Sequence, residues 1–142
     1  MKQTIKVSLC ALCLFALALS LVSCFNTVDK VGAWESAIHR KDMELGEGSK
    51  TVMVEVKAED SSVTFTIHTD AKMLGDALSE HDLLEGEEGE FGLYVKKVNG
   101  ILADYDIDKT YWGLYKNGEY LMTGVDTTES ADGEHYELVK TK

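Results

Sequence analysis

The sequence predicts an α+β domain in which a mostly antiparallel sheet packs on a single helix. Residues 51–57 and 63–69 each alternate between apolar and polar side chains, a pattern typical of a hairpin with one buried face. Helical spacing follows within residues 70–81, and two later aromatic runs end at Asn-Gly dipeptides. A hairpin followed by one helix and several strands is the order of an α+β fold.

Residues 1–23 have the features of a secretory signal, because Lys2 and Lys6 precede an uncharged apolar run at 7–22. The run is shorter than the roughly 17–25 residues of a membrane-spanning helix, which is therefore the second interpretation. The run ends in Leu21-Val22-Ser23-Cys24, which resembles a bacterial lipobox and predicts lipid attachment to Cys24. A spare cysteine behind an ordinary signal is the alternative. We therefore divide the chain into a lipoprotein signal (1–23), a lipid-anchored tether (24–33) and one domain (34–142).

Charge and cysteine content exclude several classes of partner. The net charge is −11 and becomes −13 when the two signal lysines are removed, so binding to nucleic acid is not expected. Contact with a membrane would depend on the lipid at Cys24. Since Cys10 and Cys13 lie in the signal, neither an internal disulfide nor a cysteine zinc site is predicted.

The hairpin and the helix follow from local spacing. One hairpin face consists of Val52, Val54, Val56, Val63, Phe65 and Ile67, with a polar turn at residues 58–62. Asp70 is suited to cap a helix whose apolar face carries Leu74, Ala77, Leu78 and His81. Gly75 would weaken that helix, which indicates close approach of a neighbouring strand. A structural position at the helix end explains His81 better than a ligand role.

The acidic stretches predict loops rather than metal sites. Residues 85–90 are read as a solvated loop, with cation binding as the alternative. Alternate acids at 104–108 resemble the start of an EF-hand loop. Lys109 and Tyr115, however, stand where that loop needs glycine and glutamate, so we reject the site.

The aromatic strands carry the candidate ligand-binding residues. Phe91, Leu93 and Val95 would share one face, and a bulge at Lys96-Lys97 would bring Val98 into phase. A second strand places Trp112 and Leu114 on one face and Tyr111, Gly113 and Tyr115 on the other, and a last strand at 135–140 places Tyr136 and Leu138 inward. Flat aromatics can pack on a planar or amphipathic ligand. The candidates are Tyr94, Tyr111, Trp112 and Tyr115, for which core or cross-strand packing is the alternative.

An ordered set of short motifs resembles the DUF4430 family, the transcobalamin-like C-terminal domain. The set comprises Leu45-Gly46-Glu47-Gly48, Thr69-Asp70, Leu74-Gly75-Asp76-Ala77-Leu78, Gly92-Leu93-Tyr94-Val95, Val98-Asn99-Gly100, Tyr111-Trp112, Asn117-Gly118-Glu119-Tyr120, Thr123-Gly124-Val125 and Asp132-Gly133. The resemblance implies a β-grasp-like fold and a lipid-anchored bacterial surface protein. In the animal relatives this domain closes over a corrinoid against a helical barrel. The present chain has no room for such a barrel, and Gly133-Glu134 replaces the usual Gly-Asp.

These observations lead to two functional hypotheses. The first is a lipid-anchored surface domain, outside the cytoplasm on a bacterial membrane, that binds a small molecule without catalysis. Cobalamin or a related corrinoid is the ligand that the resemblance implies; no other cofactor is indicated. The alternative is a protein-interaction or accessory module of a cell-surface complex. An enzyme is disfavoured, because Ser61, Ser79 and His68 lack the motifs of a nucleophile elbow or a metal site.

Overall fold

The computed structural model describes residues 32–142, which form one compact unit. The predicted signal, Cys24 and most of the tether lie outside the described residues. No helix in the described part is long and apolar enough to cross a membrane. The elements are a 3₁₀ turn (Ala33–Ser36), β1 (Met43–Leu45), β2 (Lys50–Ala58), β3 (Ser61–Thr69), α1 (Leu74–Ser79), β4 (Leu84–Gly89), β5 (Gly92–Val98), β6 (Ile101–Leu102), α2 (Tyr105–Asp108), β7 (Tyr111–Lys116), β8 (Glu119–Tyr120) and β9 (His135–Thr141).

The strands form two sheets. The larger sheet has six strands in the order β1-β3-β2-β9-β7-β8, and the smaller has three in the order β4-β5-β6. Most pairings are antiparallel, as predicted, but β1 runs parallel to β3 and β2 runs parallel to β9. The larger sheet is therefore mixed, and its centre joins the N-terminal hairpin to the last strand.

The predicted β2–β3 hairpin is confirmed with its buried face. The alternate side chains Val52, Val54, Val56, Val63, Phe65 and Ile67 are all at most 3% exposed. Their register, with Val54 opposite Phe65, places them on one surface of the sheet. The turn is shorter than predicted, because pairing extends to Ala58 and Ser61.

Residues 32–142 contain two short α-helices instead of the single predicted helix. Leu74, Ala77 and Leu78 are buried on α1, as their spacing indicates. The predicted cap is wrong, because the Asp70 carboxylate accepts from the backbone N–H of Ser49 at 2.9 Å. Helix α1 starts four residues later and has no side-chain cap. Helix α2 is a single turn, which Asp104 caps by accepting from the Asp106 N–H at 3.0 Å.

The acidic stretch predicted as a loop is strand β4. It pairs with β5 along its whole length, although five of its six residues are exposed. The predicted bulge is present: Glu85 pairs with Lys97 and Gly86 with Val95, which leaves Lys96 without a partner on β4. The Lys96 ammonium bridges Glu87 and Asp104, at 3.1 and 3.4 Å, and these bonds raise its pKa.

Candidate functional site

A cleft of about 310 Å³ lies between β7, the β4–β5 hairpin and the segment that follows β8. Its lining within the described residues is apolar or uncharged: Phe91, Leu93, Tyr94, Val95, Tyr111, Trp112, Leu114, Tyr120, Leu121, Met122, Thr123, Gly124, Val125 and Leu138. A concave, mostly apolar surface with aromatic side chains is typical of small-molecule sites. This is the candidate functional site, and we call it the aromatic cleft.

Three of the four predicted ligand-binding residues line the aromatic cleft: Tyr94, Tyr111 and Trp112. Tyr111 and Trp112 were assigned to opposite faces of one strand, and neighbours in a strand do point in opposite directions. The cleft nevertheless includes both, because it lies along the edge of β7, where side chains of either face can be reached.

The fourth candidate, Tyr115, is not part of the lining. Its ring packs edge-on against Tyr120, with centroids 5.4 Å apart and planes at 72°. Tyr120 does line the cleft and is 53% exposed. Tyr115 thus supports one wall of the aromatic cleft, and the β7–β8 turn at Asn117-Gly118 brings the two tyrosines together.

Two of the most exposed apolar residues form the rim of the aromatic cleft. Phe91 is 93% exposed and Met122 is 92% exposed. The prediction that Phe91 shares a strand face with Leu93 and Val95 is wrong, because β5 begins only at Gly92, whose φ is +101°. A concentration of exposed apolar side chains around a cleft is a recognised mark of a binding site. No sequence pattern indicated Met122, since the exposure of its side chain depends on how the chain leaves β8.

Asp126 connects the two walls of the cleft. One carboxylate oxygen accepts from the Leu93 N–H of β5 at 2.9 Å, and the other is buried without a partner among the described residues. The same segment is fixed to α1, where the Gly75 N–H donates to the Val125 carbonyl at 2.8 Å. Gly75 therefore makes a close approach, as predicted, but to this loop and not to a strand. The start of β5 is thus hydrogen-bonded to the loop that contains Val125 and Asp126, and the same loop is hydrogen-bonded to α1.

One side-chain donor of the aromatic cleft has no hydrogen-bond partner among the described residues. The indole Nε1 of Trp112 is buried and has no hydrogen-bond partner in residues 32–142, and the side chain is only 9% exposed. A buried donor without an acceptor is unfavourable.

The titratable clusters lie elsewhere. His68 is bonded to Thr51 at 3.0 Å and to Glu44. Over residues 32–142, no group of three His, Asp or Glu side chains is placed to hold a metal ion. The aromatic cleft is therefore the site on which the functional argument rests.

Comparisons with known proteins show which family the chain resembles. Residues 71–135 match the sequence model of the family described as a domain of unknown function, DUF4430. A candidate metal-binding protein from Ruminococcus gnavus ATCC 29149, with a crystal structure at 1.30 Å resolution, is 36% identical. The match covers 66% of this chain and 98% of that one, with a TM-score of 0.63.

A second structural match is haptocorrin, solved in complex with Cbi. It is 21% identical, with a TM-score of 0.57, and the match covers 69% of this chain but only 26% of haptocorrin. At this identity the likeness concerns the fold. No curated protein matches the sequence.

Proposed function

This chain belongs to the DUF4430 family, and from that premise we propose that its aromatic cleft binds a small-molecule ligand without catalysing a reaction. The observation that carries the proposal is the convergence of Tyr94, Tyr111 and Trp112 under a rim of exposed Phe91 and Met122. The volume of the aromatic cleft is near the lower limit of the range for ligand pockets, which is about 300–1,000 Å³. A large ligand would therefore be enclosed on one side only and would contact the rim residues.

The candidate ligand is a corrinoid such as cobalamin. Its broad, flat ring suits packing on the face or edge of the rim aromatics. Support comes from the fold shared with part of haptocorrin, which was solved with Cbi bound. The chain corresponds to about a quarter of haptocorrin, so a partly enclosed ligand is consistent with the size of the cleft.

A β-grasp-like arrangement is part of the same proposal. Hairpin β2–β3, helix α1 and the parallel pairing of β2 with β9 support it. In this arrangement β7 and β9 complete the larger sheet, and the cleft opens at the edge of β7 beside the smaller sheet.

Anchoring by lipid on Cys24 would place the domain on a bacterial membrane, outside the cytoplasm. The lipobox-like residues 21–24 behind an apolar run support this location. Labelling of expressing bacteria with a radioactive or alkyne fatty acid tests it. The wild-type chain should be labelled and Cys24→Ser should not, whereas Cys13→Ser, which changes a cysteine of the signal itself, should keep the label.

The decisive experiment is calorimetric titration of the soluble fragment 25–142 against a panel of corrinoids. The fragment contains the whole compact unit, residues 32–142. Saturable heat with a Kd in the micromolar range or tighter is expected. Burial of a phenylalanine side chain is worth about 1.5–3 kcal/mol. Replacement of Phe91 by Ser should therefore raise the Kd at least about tenfold.

The matched control is Ile107→Ser. Ile107 is also an exposed apolar residue, at 72%, but lies on α2 outside the lining of the cleft. The proposal requires Phe91→Ser and Met122→Ser to weaken binding while Ile107→Ser leaves the Kd unchanged. Absence of heat from the folded fragment, or equal losses in all three variants, would contradict a ligand site in the aromatic cleft.

A further inference from the structure

The edge of β7 that faces the aromatic cleft can be identified from two hydrogen bonds. The Leu121 N–H donates to the Leu114 carbonyl at 2.9 Å, so the backbone of Leu114 points away from β9. The Asn117 N–H donates to the His135 carbonyl at 3.2 Å, so the odd-numbered residues point toward β9. Because backbone groups alternate in direction along a strand, Trp112 points to the same side as Leu114.

Strand β8 covers only part of this edge. Its pairs with β7 are Tyr115 with Tyr120 and Lys116 with Glu119, and beyond Leu121 the chain leaves the strand. The neighbouring β5 pairs with β4 and β6 but not with β7. Within residues 32–142, neither the strand pairings nor the loop and turn hydrogen bonds provide a partner for the Trp112 N–H, the Trp112 carbonyl or the Leu114 N–H. We call these three groups the open edge.

The open edge lies in a buried part of the chain. Trp112 is 9% exposed and Leu114 is 5% exposed. Backbone donors and acceptors in such positions are nearly always paired in native proteins. The Trp112 indole N–H, also without a partner, lies in the same cleft. The aromatic cleft thus combines an apolar lining with a short row of unused hydrogen-bonding groups, which an apolar ligand would leave unsatisfied.

We propose that the open edge takes an extended peptide segment of a partner protein by strand addition, in line with β8. The groups of the open edge belong to residues two positions apart, Trp112 and Leu114. In an adjacent strand, the N–H and carbonyl groups that face the shared edge also recur at every second residue. The added segment would extend the six-stranded sheet by pairing where β8 stops. This interaction goes beyond the small-molecule site, because its specificity comes from the backbone of β7 and not from the aromatic rim.

The chemistry of the partner segment follows from the surroundings. The lining of the aromatic cleft has no charged side chain, so the residues of the segment that pair with β7 should be uncharged. They should also be small, because the cleft has a volume of only about 310 Å³. Exposed Glu90 and Glu119 lie beside residues of the lining, and the chain as a whole carries a net charge of −11. Basic residues at the ends of the segment would therefore be attracted to this surface.

Amide hydrogen exchange of the free fragment 25–142 tests the geometry. The amides of Trp112 and Leu114 should exchange at least about tenfold faster than those of Tyr111 and Gly113, since neighbouring residues differ only in which edge they face. The odd-numbered residues are the internal control, because their amides face β9. Equal protection of both sets would mean that the edge is already occupied and would overturn the proposal.

Addition of a peptide tests whether an extended segment can pair with the open edge. The probe is an acetylated, amidated hexapeptide of alternating valine and threonine with a lysine at each end. Its binding should slow exchange at Trp112 and Leu114 at least about tenfold and leave Gly113 unchanged. An analogue with N-methylated central amides has the same side chains but cannot pair, and it should give no protection.

The outcomes separate this proposal from the small-molecule site. Protection by the peptide but not by its N-methylated analogue supports strand addition whether or not corrinoids give heat. Absence of protection at millimolar peptide, or equal effects of the two peptides, overturns strand addition and leaves the corrinoid titration as the test of the cleft.

Discussion

The β2–β3 and β4–β5 hairpins are both antiparallel pairs, but different interactions stabilise them. In β2 and β3, each nine residues long, every second side chain from Val52 to Val56 and from Val63 to Thr69 is buried. In β4, none of the six residues is buried, and the sequence LEGEEG offers no apolar alternation. The first hairpin is part of the hydrophobic core along its whole length. The second contributes only Val98 to the core, with Leu84, Leu93 and Val95 partly buried against it, and otherwise depends on its backbone ladder, surface ion pairs and the hydrogen bond from Leu93 to Asp126.

In this contrast a well-packed hairpin supports a less packed one, which carries part of the proposed binding site. A hairpin with few buried side chains opens locally at a small free-energy cost compared with global unfolding. The β4–β5 hairpin provides one wall of the aromatic cleft, with Leu93, Tyr94 and Val95. We therefore expect changes in the β2–β3 hairpin to unfold the domain, and changes in the β4–β5 hairpin to alter the cleft first.

The largest effect is expected from Phe65→Ala. Phe65 is fully buried, and removal of a buried phenylalanine side chain costs about 3–5 kcal/mol in the free energy of unfolding. Phe91→Ala is the matched control, because Phe91 is 93% exposed and its loss should change stability by less than about 0.5 kcal/mol. Urea denaturation of both variants measures the difference. Similar losses would mean that Phe91 is packed in the protein.

The second largest effect is expected from Gly92→Ala, which tests how the β4–β5 hairpin is attached to the loop that contains Asp126. In Gly92→Ala the new Cβ would lie 2.4 Å from an Asp126 carboxylate oxygen, and the φ of +101° is unfavourable for alanine. We expect a loss of about 2–3 kcal/mol and a shift of the Tyr94 resonances as the Leu93–Asp126 bond breaks. Gly118→Ala has a φ of +81° but no atom within 4 Å, so it should show only the backbone cost, about 1 kcal/mol. Equal losses would show that the contact with Asp126 is unimportant.

A smaller, pH-dependent effect is expected at the junction of β7 and β9. Hydrogen bonds from Lys116 and then from the Tyr136 hydroxyl hold the pKa of Glu134 below its ordinary value of 4.5. A lowered folded-state pKa stabilises the protein above about pH 4.5 and loses that contribution as the pH falls through the folded pKa. Glu134→Gln should therefore cost about 1 kcal/mol at pH 7 and progressively less in acid. Urea denaturation from pH 7 to pH 3 checks this, and a pH-independent difference would contradict it.

The smallest effect is expected from Lys97→Ala. Lys97 and Glu85 are 3.1 Å apart on paired strands of the second hairpin, but their side chains are 41% and 63% exposed. Pairs of this kind contribute about 0–1 kcal/mol and are screened by salt. We expect a change of at most about 0.5 kcal/mol in denaturation experiments, and none at high salt. A larger loss would mean that ion pairs, and not the backbone ladder, hold β4 to β5.

Local signals were sufficient wherever neighbours in the sequence determine the conformation. The valine alternation of β2 is visible because one face is buried, and Asn99 and Asn117 have positive φ as their turns require. The bulge at Lys96 was visible as a break in phase. Asp70 was assigned incorrectly because Ser49, 21 residues away, competes for its carboxylate.

The aromatic cleft could be predicted only in part, because it is built from contacts between distant segments. Tyr94, Tyr111 and Trp112 were selected for their chemistry, but their convergence depends on β5 lying beside β7. Strand β4 has no alternation of apolar residues, so its pairing with β5 could not be predicted from the sequence. Asp126 was missed because a carboxylate in a polar loop gives no sign that it will accept from Leu93, 33 residues earlier.

The position of β9 has a consequence for the order in which the domain can form. This strand is the last segment of the chain, yet it lies in the interior of the six-stranded sheet, between β2 and β7. The edge of β2 that faces away from β3 is therefore paired only when β9 is added. In that pairing Val54 lies opposite Tyr136, more than eighty residues later in the chain. Contacts of such long range slow folding. A ribosome-bound chain therefore cannot close the six-stranded sheet until residues 135–141 have left the exit tunnel.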